Sequence, residues 1–188
     1  MSGSDTVNIA AVEAANALRL LDPGALAELR RMDTETAAPA FWRLAARYPD
    51  CIGARPAEWV EIIRILAILT PKGASEVRPA LHDASRALGA VLCDGGDPGW
   101  SGDRPALSER RLAQLLAARG PARVVALTRA ARALARSRPP QAGLDVRGIA
   151  WAILLPTGTA RIAEQYYRRL DRSTAAAVAE VAEKDVSA

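Results

Sequence analysis

The side chains in this sequence with the most chemistry to offer are its arginines, 23 of them against two lysines, Lys72 and Lys184. A guanidinium is a planar fork of donors that matches phosphate oxygens, and several on one face attract a polyanion in a salt-sensitive way. A GC-rich genome would give the same excess of arginine and alanine, so placement matters more than number. Over residues 121–136, Val124, Leu127, Ala131 and Leu134 share one helical face, while Arg129, Arg132 and Arg136 fall within about 60° of one another on the opposite side. No acid interrupts that stripe, although an ordinary solvated face has the same pattern. The pairs Arg30-Arg31 and Arg110-Arg111 extend such a surface or serve the structure. Arg161 has no obvious partner, whereas Glu164 and Arg168 are spaced for an i,i+4 ion pair.

Catalytic chemistry finds little to work with. The single histidine, His82, stands beside Asp83 and is expected to be a partly exposed helical residue. Cys51 and Cys93 show neither CxxC nor CxxH spacing, which argues for small packing residues in a reducing cytosol and against a disulfide framework or zinc site. Gly95, Gly96 and Gly99 match no phosphate-cradling pattern. The acidic pairs Asp33 with Glu35 and Asp94 with Asp97 fit capping and loop solvation better than metal binding. No catalytic residue, metal site or cofactor is assigned. Of the four tryptophans, Trp42, Trp59 and Trp151 lie on apolar helices and are expected in the core, while Trp100 sits in a glycine loop and invites a contact.

The elements that must carry these residues are helices. Half of the 188 residues are hydrophobic, dominated by Ala and Leu, with one Phe and three Tyr, a mixture that favours helices over strands. Prolines punctuate the chain. Asp22-Pro23 ends a first helix at about residues 5–21 and caps a short second one, Pro39 opens a third, and Pro56 opens the most apolar, at residues 58–70, where Trp59, Ile62, Ile63, Leu66 and Leu69 repeat at helical spacing. Pro79 is expected to open a helix around Leu81, Ala84, Leu88 and Val91.

The Gly/Pro/Asp loop CDGGDPGWSGDRP follows as the best internal boundary. Residues 107–119 and the stretch after Gly120-Pro121 form a helical hairpin, a short helix covers residues 145–155, and a last one follows Pro156-Thr157. The expected fold is all-α, eight or nine helices in a compact bundle of two packed sub-bundles, residues 1–104 and 105–188, with about the last twelve residues frayed. No stretch approaches the roughly 18 apolar residues of a membrane span, and no signal-peptide pattern opens the chain.

Five segments in order, GALAELRRM, APAFWRLAARY, ALHDASRALGAVL, SERRLAQLLAARG and IAEQYYRRL, resemble the small-subunit family (CasB) of the type I-E CRISPR surveillance complex, Cascade. In that family an LRR segment precedes a PAFxRL helix, and an ERRxxxLL helix follows a loop. The resemblance covers roughly residues 20–172. It implies a cytoplasmic, non-enzymatic, all-helical subunit, present in two copies, that touches other Cascade subunits and the crRNA-guided complex and steadies the target and displaced DNA strands. Sequence specificity would rest with the guide RNA. By motif, the resemblance gives Arg30 and Arg31 the LRR position, Arg43 the PAFxRL arginine, and Arg110 and Arg111 the ERR pair. Arg129 falls where the family tends to carry a basic residue, and Arg132, Arg136 and Arg161 join from the helical-face argument.

Two other functions compete. A helical transcription regulator requires a tri-helical unit with a recognition helix, and no convincing one is visible. An enzyme of unfamiliar type requires a cluster of titratable groups, which one histidine and two cysteines make hard to assemble.

Overall fold

Proline does set several of the starts. The computed structural model describes residues 3–102 and 104–186, the side chains of residues 174 and 176–186 excepted. After α1 (Gly3–Leu20), prolines occupy the first turns of α2 (Pro23–Arg31), α3 (Pro39–Arg47) and α4 (Pro56–Leu69), where the missing N–H would have had no helical partner. Asp22 caps α2, its carboxylate accepting from the Ala25 N–H at 2.9 Å. Beyond these lie α5 (Leu88–Asp94), α6 (Glu109–Ala117), α7 (Gly120–Ser137), α8 (Arg147–Leu154) and α9 (Ala160–Val186), with short helical turns at Pro49–Gly53 and Ser75–Val77. Among the described residues there is no strand beyond one isolated bridge between His82 and Leu144, so the fold is all-α. No helix among them is long and apolar enough to cross a membrane. The stretch expected to fray, about the last twelve residues, is helical in its backbone as far as Val186, and residues 187–188 lie outside the described residues.

One core runs through the molecule. The wholly buried side chains of α4, among them Trp59, Ile62, Ile63 and Leu66, meet α1, α2, α7 and α8, so helices from both sides of the glycine loop share it. Small residues let neighbours approach: Ala10, Ala11, Ala14 and Ala15 form the buried stripe of α1. Gly89 does the same where α5 lies against α9, since a Cβ there would come 2.2 Å from the Ile162 carbonyl oxygen.

The helix expected after Pro79 forms only from Leu88. Residues 79–83 instead form a non-helical strap and residues 84–86 a turn, because Leu144 bridges to the strap: its N–H donates to the Leu81 carbonyl at 2.8 Å and its carbonyl accepts from the Asp83 N–H at 3.0 Å, while the Arg86 N–H closes the turn onto the Asp83 carbonyl. Asp83 adds a competing local bond by accepting from the Ser85 N–H and hydroxyl. His82 is therefore a half-buried residue on the strap rather than a helical one.

The ends of several helices are closed by arginines, Arg78, Arg123 and Arg138 buried and Arg30 half-buried. A helix C-terminus leaves carbonyls without partners and carries the negative end of the helix dipole. Arg78 donates to the carbonyls of Leu18, Arg19 and Leu21 at the end of α1. Arg30 donates to Ala67 and Thr70, and Arg138 to Leu69, at the end of α4. Arg123 reaches Ala118 after α6 and Ala152, Leu155 and Pro156 at the end of α8. Burial lowers the guanidinium pKa of Arg30, Arg123 and Arg138, with the charge of Arg78 adding to the effect at Arg30.

Replacing Arg123 by Ala strands these acceptors and is expected to lower the unfolding free energy by about 3 kcal/mol in urea titrations. The exposed Arg132→Ala should stay within about 0.5 kcal/mol of wild type. Gly89→Ala is expected to destabilise by roughly 2 kcal/mol or more, because the α9 backbone must move.

Candidate nucleic-acid interface

Helices α6 and α7, joined by only two residues, diverge enough to leave a surface groove of about 830 Å³. Leu115, Ala118, Ala122, Val125 and Ala126 supply apolar lining, while Arg111 from α6 and Arg129, Arg132 and Arg136 from α7 supply cations. The α7 stripe arises as its periodicity foretold: Leu127, Ala131 and Leu134 turn into the core, and the three arginines are exposed. A second recess, lined by Arg104, Arg110, Arg111 and Gln114, shares Arg111 and Gln114 with the first, so the two run together. The combined surface carries six arginines and no lining carboxylate. Among the described residues none of the six has a hydrogen-bond or ion-pair partner. Such a surface attracts anions along its length.

Arg104 arrives from the glycine loop, and a buried polar cluster fixes that loop. Asp94, its carboxylate buried, accepts from Arg86 at 3.0 Å and from Arg169 of α9 at 2.9 Å, and also from the Gly96 N–H. Arg169 further donates to the Pro98 and Trp100 carbonyls, its guanidinium lying 5.3 Å from the centre of the Trp100 ring. The loop then closes on α5, the Ala106 and Leu107 N–H groups donating to Cys93 and Leu92 at 2.8 Å. Sequence reading missed Arg104 and Arg169 because the loop's path is set by residues about 70 positions apart. The only sequence signal was Arg104 following directly on the Gly/Asp run.

The structure brings Arg110, Arg111, Arg129, Arg132 and Arg136 together and leaves four sequence candidates elsewhere. Arg31, Arg43 and Arg161 are exposed but do not line the groove, and Arg30 is turned inward to the end of α4. Glu164 and Arg168 form the ion pair their spacing predicts. Asp33 caps its own loop, accepting from the Glu35 and Thr36 N–H groups, and Asp97 accepts from the Gly99 N–H. No group of three metal-ligating side chains occurs among the described residues. Both cysteines are buried, and burial pushes the Cys93 thiol up to about 11.

One tryptophan expectation, that of Trp42 in the core, needs correcting. Trp100 is half-covered by Arg169 and serves to hold the loop. Trp42 is 55 % exposed, because its neighbour Phe41 takes the core-facing position on α3 and one residue's rotation carries Trp42 outward. Trp59 is fully buried, and Trp151 is half-buried with its indole N–H donating to Asn8.

The sequence profile of the family described as CRISPR-associated protein Cse2 matches residues 25–167. The chain belongs to this family. The Cse2 match runs from α2 into α9 and takes in all six groove arginines. Among solved structures, the chain is similar to a chain in the crystal structure of E. coli Cascade bound to a PAM-containing dsDNA target, with a TM-score of 0.56 and 19% identity over 85% of this chain and 95% of that one. At that identity the likeness concerns the fold alone. No curated protein matches the sequence.

Arg169→Ala is expected to uncover Trp100 while leaving the helices in place. The measurements are a red shift of tryptophan emission, stronger acrylamide quenching and an unchanged far-ultraviolet circular dichroism spectrum.

Proposed function

We propose that this Cse2-family chain is the non-catalytic small subunit of a type I-E, crRNA-guided Cascade complex in the cytoplasm, and that its α6–α7 groove holds DNA opened by guide pairing. The observation that carries the reading is the run of six arginines, Arg104, Arg110, Arg111, Arg129, Arg132 and Arg136, along one groove without a lining carboxylate. Each guanidinium offers a fork to phosphate oxygens, and phosphate contacts position a strand without reading its sequence. The apolar lining around Val125 suits sugar and base surfaces rather than a second layer of charge. A subunit that works beside a guide needs no base readout of its own, since pairing with the guide supplies it.

The groove would act as a clamp that stabilises the R-loop, on the target strand, the displaced strand or both. The likeness to a chain of E. coli Cascade supports other Cascade subunits and target DNA as partners. A second copy of this chain is the further partner the family resemblance brings. Arg31 and Arg161, exposed outside the groove, are available for contacts to those neighbours. Arg30 belongs to the fold.

Fluorescence anisotropy with scrambled single- and double-stranded DNA across a salt series tests the clamp. Binding should be indifferent to sequence and fall with salt. Both Arg129→Ala/Arg132→Ala/Arg136→Ala and Arg110→Ala/Arg111→Ala should weaken it by about tenfold and flatten the salt slope by about 0.7 per lost single-strand contact. Absence of binding at low salt, or binding untouched by either variant, overturns the proposal.

A further inference from the structure

Trp42 is set apart from the other tryptophans by its surroundings. Trp59 is enclosed in the core, Trp151 is bonded to Asn8, and Trp100 lies beneath Arg169. The Trp42 indole stands on the surface, yet it is held: it meets the buried Phe41 ring edge-on, with centroids 5.1 Å apart and planes at 75°. Its helix, PAFWRLAAR, contains two arginines and no acid. Arg43 follows Trp42 directly, and Arg47 lies one turn further on, about 6 Å along the axis. Both are exposed, and among the described residues neither has an ion-pair partner; the Arg47 guanidinium rests 5.9 Å from the Tyr48 ring centre. None of the three lines the α6–α7 groove.

We infer that Trp42, Arg43 and Arg47 form a second contact site for an unpaired nucleic-acid strand, in which a base stacks on the indole and neighbouring phosphates meet the two guanidiniums. The combination selects the occupant. Two unopposed cations call for a polyanion, and an exposed aromatic face beside them gives a stacking platform that any base can use. Paired bases in a duplex present no free face, so the site takes single strands. The inference rests on the reading of this chain as a DNA-binding subunit but uses no groove residue.

The experiment is a titration of the full chain with oligo-dT, following tryptophan emission and anisotropy together. The variants are Trp42→Ala, Trp42→Phe, Arg43→Gln/Arg47→Gln and the groove triple variant Arg129→Ala/Arg132→Ala/Arg136→Ala. Oligo-dT is expected to quench emission in wild type and in the groove variant, and duplex DNA is not. Trp42→Ala should abolish the quenching and, in the groove-variant background, weaken oligo-dT binding by about tenfold, with Trp42→Phe restoring most of that affinity. Arg43→Gln/Arg47→Gln should weaken the residual binding and reduce its salt dependence.

Quenching that persists in Trp42→Ala, or equal quenching by duplex, overturns the site. So does equal quenching by a poly-glutamate peptide, which would make α3 a protein-docking face. Wild-type anisotropy binding that survives loss of this site leaves the groove intact. Quenching that survives when the groove variants change no affinity leaves α3 as the contact and removes the groove.

Discussion

The fold depends on guanidiniums buried against the ends of helices. Helix α4 runs through the core, and its last carbonyls emerge where water does not reach. Unpaired, they would cost more than the helix gains from its final turn. Arg30 from α2 takes Ala67 and Thr70, Arg138 from the end of α7 takes Leu69, and the Thr70 hydroxyl takes Leu66. The same bonds that close α4 fasten α2 and the α7 terminus to it. Arg78 and Arg123 repeat the arrangement at the ends of α1, α6 and α8. Arginine suits this work better than lysine, because its fork offers several donors in fixed directions and satisfies two or more carbonyls at once.

The arginines thus divide into those the fold consumes and those it displays. The division follows geometry. Arg123 lies about 40° from Leu127 on the α7 helical wheel and is drawn inward with it, whereas Arg129, Arg132 and Arg136 lie on the far side and reach solvent. Because α7 is anchored on its inner face by Leu127, Leu134 and Arg123, its outer face is held at a set distance from α6, and the cations come to line one groove. The Asp94–Arg86–Arg169 cluster extends that groove by fixing the loop that delivers Arg104. A charged surface built on a braced scaffold keeps its shape when the ligand arrives, and less binding energy goes into ordering it.

The proposed α3 site has a different origin. Phe41 and Leu44 face the core from α3, so the intervening positions Trp42 and Arg43 are left outside. Placing an indole in solvent forgoes the burial that Trp59 gains, and Phe41 keeps the exposed ring from moving freely.

Sequence alone determined the helical class, the proline-marked starts of α2, α3, α4 and α7, the apolar character of α4 and the stripe Arg129–Arg132–Arg136, because these depend on neighbours within a turn or two of one helix. The ordered motifs also pointed to the family that the profile match bears out. Tertiary structure decided the rest. Residues 79–87 read as helical until Leu144 supplied a bridging partner, and Trp42 read as core until Phe41 took the inner position. Arg30 read as a surface contact until the α4 carbonyls claimed it. Each of these turned on whether a distant backbone group needed a donor or a side chain a place to pack, and spacing along one helix carries no record of what another helix leaves unsatisfied.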